Sequence, residues 1–231
     1  MTEPRRPLIA SLRHTAILTA IVLGVAAYGI YAQATSQAAP NAPVHRGSAL
    51  PLYLTLLAAE WGLVRYVMVG LRPTGTRIRD LVGARWSGPA DVIRDMLLGV
   101  AFWGAWTAVA LILVRFVGPD AKSVEALLPR DQPESVAWVL LSLSAGFCEE
   151  VVFRGYFQTQ FQALWGHAAP AIAAQALIFG IAHGYQGIRH VVAIALFGVF
   201  FGLLAHWRRS LAPGIAAHAW TDIVAGLITR G

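Results

Sequence analysis

The sequence predicts an all-α protein, a polytopic transmembrane bundle of about seven membrane-spanning helices. Hydrophobic residues make up 57% of the 231-residue chain and charged residues only 13%, whereas a typical soluble domain carries about 25% charged residues. Too few charges remain to cover a soluble globule, and the apolar content excludes a disordered chain. The single cysteine, Cys148, excludes a disulfide framework and a zinc site built from cysteines.

A helix needs about 20 apolar residues to cross the hydrocarbon core of a bilayer. Seven stretches of the chain approach or exceed this length, and these are 15–34, 49–71, 96–117, 135–165, 168–183, 190–207 and 211–229. The first follows three arginines and ends in Ala32-Gln33-Ala34, which resembles the cleavage site of a signal peptide. Its apolar run exceeds the usual core of about 7–15 residues, so the sequence favours an uncleaved anchor.

The distribution of charge predicts the orientation in the cell membrane. The net charge of +6 comes almost wholly from arginine, and Lys122 is the only lysine. The loop after the third stretch is acidic, whereas arginines follow the second and sixth stretches. These arginines are Arg72, Arg77, Arg79, Arg85, Arg94, Arg208 and Arg209. Because arginine-rich loops stay in the cytoplasm, we expect a multi-pass protein with a cytoplasmic N-terminus and an outside C-terminus. Arginines that flank apolar runs indicate the lipid bilayer, and not nucleic acid, as a partner.

The fourth stretch contains the densest group of charged residues, Glu149, Glu150 and Arg154. Ionisable side chains inside a bilayer are energetically costly and mark functional sites by default. Glu150 and Arg154 are four residues apart and can form an ion pair on one helix face. Glu149 is rotated by about 100° from Glu150, which leaves it for a partner on another helix. The alternative is a structural role in which both acids anchor Arg154.

The fifth and seventh stretches supply such partners. His183 follows Phe179 by four residues, and Asp222 follows His218 by the same spacing, which puts each pair on one helix face. Taken alone, His183 is a packing histidine near a helix end, and His218 with Asp222 is a local hydrogen-bonded pair. Together with the acids of the fourth stretch, these residues favour one shared site.

The polar residues form three motifs that resemble those of the CPBP intramembrane proteases, a family that includes CAAX prenyl endopeptidases and bacteriocin-processing proteins of the Abi type. The motifs are Glu149-Glu150-x-x-x-Arg154, Phe179-x-x-x-His183 and His218-x-x-x-Asp222. The resemblance covers about residues 135–229. We therefore expect a catalytic core over 135–231 and N-terminal helices with their loops over 1–134.

The resemblance implies an intramembrane endopeptidase that acts on a membrane-associated protein or a peptide precursor. It implies that Glu149 and His183 position and deprotonate a water, and that His218 with Asp222 stabilises the oxyanion. Glu150, Arg154 and Phe179 are then supporting residues.

The last motif of the family commonly ends in asparagine, so Asp222 departs from the pattern. An ionised Asp222 would repel an oxyanion unless it is oriented toward His218. We expect Asp222 to accept a hydrogen bond from His218, which would fix the tautomer of the imidazole.

Three alternatives to this function stay open at this point. Glu149, His183 and His218 can instead ligate a zinc ion with an open fourth position, although no His-Glu-x-x-His helix is present, and no cofactor is firmly implied. A non-catalytic immunity or scaffold protein can use the same helices to bind a partner. A transporter is the third class, but it predicts inverted repeats that the sequence lacks.

The remaining polar and small residues favour packing. Cys148 lies beside a carboxylate in an apolar setting, which opposes the thiolate form. Glu60 and Arg65 are five residues apart, and we interpret them as contacts between helices, with substrate access as the lesser option. Gly198 and Gly202 form a small-xxx-small pair that indicates close helix packing.

Overall fold

The structure, a computed structural model, describes residues 7–37, 47–83, 86–117 and 127–228, and every regular element within these ranges is helical. The predicted all-α class is therefore confirmed for the described part of the chain. The interpretations that concern Arg85, Lys122 and most of the acidic third loop fall outside the described residues.

The α-helices are α1 Leu12–Gln37, α2 Leu50–Leu71, α3 Ile78–Val82, α4 Pro89–Val117, α5 Gln132–Glu149, α6 Gln158–Trp165, α7 Ala168–Ala182, α8 Ile188–Arg208 and α9 Ala212–Ile228. A segment of wider π geometry, Glu150–Phe157, joins α5 to α6, and short 3₁₀ turns follow α2 at Arg72–Thr74 and α7 at Gly184–Gln186.

Among the described residues, five helical stretches are long and apolar enough to cross a bilayer, which indicates a multi-pass membrane protein. They are Leu12–Thr35, Leu50–Thr74, Pro89–Leu113, Gln132–Trp165 and Ile188–Arg208. As described, α7 and α9 contain 15 and 17 residues. At about 1.5 Å per residue both fall short of the hydrocarbon thickness of about 30 Å. Five of the seven predicted stretches are therefore candidate spans by length and composition, and the prediction of seven spans is not confirmed.

Apolar side chains cover the outside of the bundle. Val25 and Leu54 are each 66% exposed, and Leu111 is 65% exposed. Exposed apolar faces of this extent are typical of helices that contact lipid, since a soluble monomer rarely leaves large apolar patches in water.

The π segment lies at the centre of the long fourth stretch. The backbone N–H of Gln158 bonds to the carbonyl of Phe153, five residues earlier, in place of the α-helical spacing of four. Segments of this kind within α-helices are frequent at functional sites. Here the segment carries Glu150 and Arg154 and points both side chains into the bundle, where each is buried.

Small residues bring α9 and α5 together. A Cβ atom added to Gly146 would lie 2.8 Å from the backbone nitrogen of Ala219, which is closer than real side-chain contacts permit. Gly146 precedes Glu149 by one turn, and Ala219 follows His218 directly. The close approach of the two backbones therefore sets the separation between a glutamate of α5 and a histidine of α9.

Close packing at glycines also brings α8 and α7 together. An added Cβ at Gly198 would lie 2.9 Å from the Cα of Ala176, and one at Gly202 would lie 2.8 Å from the side chain of Gln175. The predicted packing role of Gly198 and Gly202 is confirmed. Gln175 donates a hydrogen bond to the carbonyl of Gly198 at 2.9 Å, so a buried amide reinforces the contact.

Candidate active site

A cavity of about 410 Å³ lies at one end of the bundle. Its walls come from the first half of α2, from α4, from α5 as far as its last residue, from the end of α7 and the turn after it, and from parts of α8 and α9. The acidic residues and histidines that line it are Glu60, Glu149, His183, His190, His218 and Asp222. Glu149, His183 and His218, which the sequence assigns to three separate stretches, therefore share one cavity.

Glu150 and Arg154 form a buried ion pair behind the cavity. Arg154 Nη1 lies 3.3 Å from Glu150 Oε1, and the two side chains are 0% and 1% exposed. The predicted ion pair on this helix is confirmed. Glu149 does not share in it, because its carboxylate faces His218, with 3.6 Å between Oε2 and Nε2.

Aromatic rings surround the guanidinium of Arg154. Its Cζ atom lies 4.2 Å from the ring centre of Phe179, 5.5 Å from that of Phe201 and 5.9 Å from that of Phe197. A cation over an aromatic face is stabilised by the ring quadrupole, by about 2 kcal/mol or more when it is desolvated. Phe179 of the second motif is thus a packing partner of Arg154 and of His183, whose ring centre lies 4.8 Å away.

Glu150 also binds His218. The Nδ1 atom of His218 lies 2.9 Å from Glu150 Oε1, and because a carboxylate accepts, Nδ1 carries the hydrogen. The opposite nitrogen, Nε2, faces the carboxylates of Glu149 at 3.6 Å and of Asp222 at 3.7 Å. One edge of the imidazole is therefore held by the supporting pair, and the other faces the cavity.

The hydrogen bond expected from His218 to Asp222 is not formed. The distance of 3.7 Å between Nε2 and Oδ2 is that of an ion pair and exceeds a hydrogen bond. The physical reason is that Glu150, from a different helix, binds the imidazole through Nδ1 and sets its orientation. Asp222 stays 35% exposed at the cavity wall, and its backbone carbonyl accepts a hydrogen bond from Trp138 Nε1 at 2.8 Å.

The second carboxylate oxygen of Glu150 lies against the first turn of α9. A Cβ added to Gly214 would lie 3.3 Å from Glu150 Oε2, so the glycine leaves room for this buried oxygen. The N-terminus of a helix carries partial positive charge, which stabilises a carboxylate at this position. The absence of a side chain at Gly214 thus helps to position Glu150.

His183 ends α7 and has a defined tautomer. Its Nδ1 atom lies 2.9 Å from the carbonyl oxygen of Phe179, and since a carbonyl only accepts, Nδ1 carries the hydrogen. In the neutral ring Nε2 is then an acceptor. The residue leaves the helical conformation, with φ of −97° and ψ of 16°, which turns the chain into the 3₁₀ segment that follows.

Several cavity residues have no place in the three motifs. Ser144 donates a hydrogen bond to Glu60 Oε2 at 2.8 Å, so Glu60 joins α2 to α5 as expected and also lines the cavity. Arg65 differs from the expectation, because it is exposed and forms no ion pair with the described residues. Tyr185 and Gln186 line the cavity from the turn after His183, and neither stands out in the sequence.

The described residues do not form a zinc site. Within the described ranges of the chain, no three histidine, cysteine, aspartate or glutamate side chains are grouped so that they can hold a metal ion. Glu149, His183 and His218 border the same cavity but do not form a ligand set in this arrangement.

Residues 131–224 match the sequence model of the family described as type II CAAX prenyl endopeptidase Rce1-like. This segment is a domain of that family. The matched segment, which is less than half of the chain, contains every motif residue from Glu149 to Asp222, and this match indicates an intramembrane protease. No curated protein and no solved structure matches the chain.

Proposed function

We propose that this protein is an intramembrane endopeptidase that hydrolyses a peptide bond of a membrane-associated protein or a peptide precursor. The observation that carries the proposal is the shared cavity, which Glu149, His183 and His218 border from three different helices. Membership of the Rce1-like family supports the reaction class. The division into N-terminal helices over 1–134 and a catalytic core over 135–231 is part of the same proposal.

Glu149 and His183 activate the water. His183 Nε2 is an acceptor, because Nδ1–H is used by the carbonyl of Phe179. A water held between this nitrogen and the carboxylate of Glu149 presents its lone pairs to the substrate carbonyl. Glu149 then takes a proton from the water and returns it to the leaving amine, which is the general acid–base cycle that peptide hydrolysis requires.

His218 stabilises the oxyanion of the tetrahedral intermediate. Its Nδ1–H is bound by Glu150 at 2.9 Å, which leaves Nε2 to donate toward the cavity. Asp222, 3.7 Å from this nitrogen, stabilises the protonated imidazole. Preorganised donors aimed at developing charge are usually the largest single contribution to such catalysis, and the ion pair of Glu150 with Arg154 supplies the preorganisation.

The orientation predicted from arginine is part of the proposal. With the N-terminus in the cytoplasm, the turns after α2 and α8 are cytoplasmic, and the opposite end of the bundle faces outward. The cavity extends toward this second end, where Leu127 and Leu128 line it before the start of α5, and it reaches inward to Glu149 at the end of α5. We therefore expect the substrate to enter the cavity from the outer side of the membrane.

Glu149→Gln tests the proposed function, because it keeps the shape of the side chain and removes the base. Purified wild-type and variant proteins are incubated in liposomes with two probes, a farnesylated CAAX peptide and an unmodified apolar peptide, and the products are identified by mass spectrometry. We expect cleavage of at least one probe by the wild type, loss of about 10²–10⁴-fold in Glu149→Gln, and full activity in excess chelator.

The matched control is Asp80→Asn, an equivalent change at an exposed carboxylate of α3, which should leave cleavage intact. A folded Glu149→Gln protein with wild-type cleavage would overturn the proposal. Absence of cleavage by the wild type, with a biological activity that Glu149→Gln retains, would instead indicate the non-catalytic immunity or scaffold protein. Loss of activity in chelator, restored by zinc, would indicate the metal mechanism.

A further inference from the structure

The proposed site is rich in acceptors and poor in donors. Glu149 and Asp222 accept hydrogen bonds when ionised, and His183 presents its unprotonated nitrogen to the cavity because Nδ1–H is used by Phe179. His218 Nε2–H is then the one donor that the motif residues offer to an oxyanion. Oxyanion holes of peptide hydrolases commonly use two donors, so a second donor is needed.

Tyr185 is a candidate for this second donor. It lines the cavity in the turn Gly184–Gln186, and its ring centre lies 6.3 Å from that of His183. Its hydroxyl oxygen accepts a hydrogen bond from Gln186 Nε2 at 3.0 Å. Within the described ranges no residue accepts the hydroxyl hydrogen, so the O–H remains available to a substrate.

Burial keeps this hydroxyl protonated. Burial raises the pKa of the Tyr185 phenol above its usual value, and the nearby carboxylates of Glu149 and Asp222 raise it further, because both favour the neutral form. The group therefore titrates well above neutral pH and is a hydrogen-bond donor over the range in which a glutamate base works.

Helix α1 supports the turn that carries Tyr185. A Cβ added to Gly29 would lie 3.3 Å from the Cβ of Tyr185, and one added to Gly184 would lie 2.6 Å from Ile30 Cδ1. The turn is therefore pressed against α1 at two successive residues. Such contact fixes the direction of the phenol, which an oxyanion donor requires.

Three other donors that line the cavity are already engaged. The Tyr53 hydroxyl donates to the carbonyl of Leu127 at 2.6 Å, and the Thr221 hydroxyl donates to the carbonyl of Ala217 at 2.8 Å. Trp138 donates to the carbonyl of Asp222. These groups would lose a protein hydrogen bond in order to bind an oxyanion, whereas Tyr185 would not.

We propose that Tyr185 is a further catalytic residue, whose hydroxyl donates a hydrogen bond to the substrate oxyanion opposite His218. The inference rests on the proposed function. No proton is transferred in this step, since the phenol keeps its hydrogen and only shares it with the oxyanion. Gln186 acts as a positioning residue, because its amide binds the phenol oxygen and strengthens the O–H as a donor.

The test is Tyr185→Phe, which removes the hydroxyl and keeps the ring against α1. Loss of one oxyanion donor lowers kcat by about 10²–10³-fold, and we expect a reduction of this order with KM changed less than about twofold, since the interaction forms only in the transition state. Gln186→Leu should lower kcat by a smaller factor. The matched control is Tyr156→Phe. The buried hydroxyl of Tyr156 lies 3.0 Å from the Thr15 hydroxyl and does not line the cavity, so this variant should have the kcat of the wild type.

The outcomes separate this inference from the proposed function. If Glu149→Gln abolishes cleavage and Tyr185→Phe retains the wild-type kcat, the inference fails and the proposed function stands. If both variants retain the wild-type rate, or if the wild type cleaves neither probe, both fail. If Tyr185→Phe does not fold, Gln186→Leu is used as the test instead. An unchanged kcat in Gln186→Leu then contradicts the inference.

Discussion

Glu150 and His218 form a hydrogen bond between the π segment after α5 and helix α9, with 2.9 Å between Oε1 and Nδ1. The same carboxylate oxygen lies 3.3 Å from Nη1 of Arg154. A chain of three side chains thus runs from a guanidinium among aromatic rings to the imidazole at the cavity wall. Arg154 therefore stabilises the fold and, through Glu150, also the orientation of His218.

The first prediction separates these two effects. Arg154→Met leaves Glu150 buried without its cation, and breaking a buried pair destabilises a protein by about 3–5 kcal/mol. The double variant Glu150→Leu/Arg154→Met removes both charges, and we expect it to recover much of the thermal stability. Cleavage should stay low in the double variant, since His218 Nδ1 has lost its acceptor.

Thermal unfolding in detergent and the cleavage rate are measured on the same preparations. Wild-type cleavage by a stable double variant would mean that Glu150 does not orient His218. Equal instability of the single and double variants would mean that the charges do not compensate each other.

The sequence predicts the Glu150–Arg154 pair because a spacing of four residues is visible within one helix. For the same reason it predicts a hydrogen bond from His218 to Asp222, which has this spacing, and misses the one to Glu150, which is 68 residues away in the chain. What decides the partner is the contact of Gly146 with Ala219, and such a contact between two helices cannot be read from either helix alone.

The depth of His183 in the membrane also could not be predicted by counting residues along its helix. Counted along the chain, Glu149 lies near mid-membrane and His183 at the outer end of its stretch, which would separate them if both helices crossed the bilayer. The described α7 is only 15 residues long, which at about 1.5 Å per residue is shorter than the hydrocarbon core of a bilayer. No sequence pattern pointed to Tyr185, because a single tyrosine in a turn has no partner at a helical spacing.

The second prediction concerns Asp222. Since its carboxylate is 3.7 Å from His218 and does not hydrogen-bond it, the orientation of the imidazole does not depend on it. We expect Asp222→Asn to retain cleavage within about tenfold of the wild type, because the lost ionic stabilisation of His218 is about 1 kcal/mol for a partly exposed pair. Asp222→Leu, which also removes every polar atom, should be more strongly impaired. Loss of cleavage in Asp222→Asn as complete as in Glu149→Gln would contradict this prediction.

The third prediction tests the orientation. Cys148, which is buried, is first replaced by alanine so that the background has no thiol. Single cysteines are then placed at Ile188, which is 75% exposed at the cavity end, and at Asp80, whose side chain is 53% exposed at the opposite end. A membrane-impermeant maleimide added to intact cells should label Ile188→Cys and not Asp80→Cys, and permeabilised cells should show both. The reverse labelling pattern would place the cavity on the cytoplasmic side.

The fourth prediction concerns the glycine that sets the distance between α5 and α9. Gly146→Ala adds a Cβ that would lie 2.8 Å from the backbone nitrogen of Ala219, so the helices must separate and move His218 away from Glu149. We expect a lower unfolding temperature and a fall in kcat of at least tenfold, because small displacements of catalytic groups reduce rates strongly. The control is Gly24→Ala on α1, where nothing lies within 4 Å of the added atom. This control should be neutral or slightly stabilising, since alanine favours the helix by about 1 kcal/mol over glycine. If Gly146→Ala behaves like Gly24→Ala in both measurements, the close approach of α5 and α9 does not set the geometry of the site.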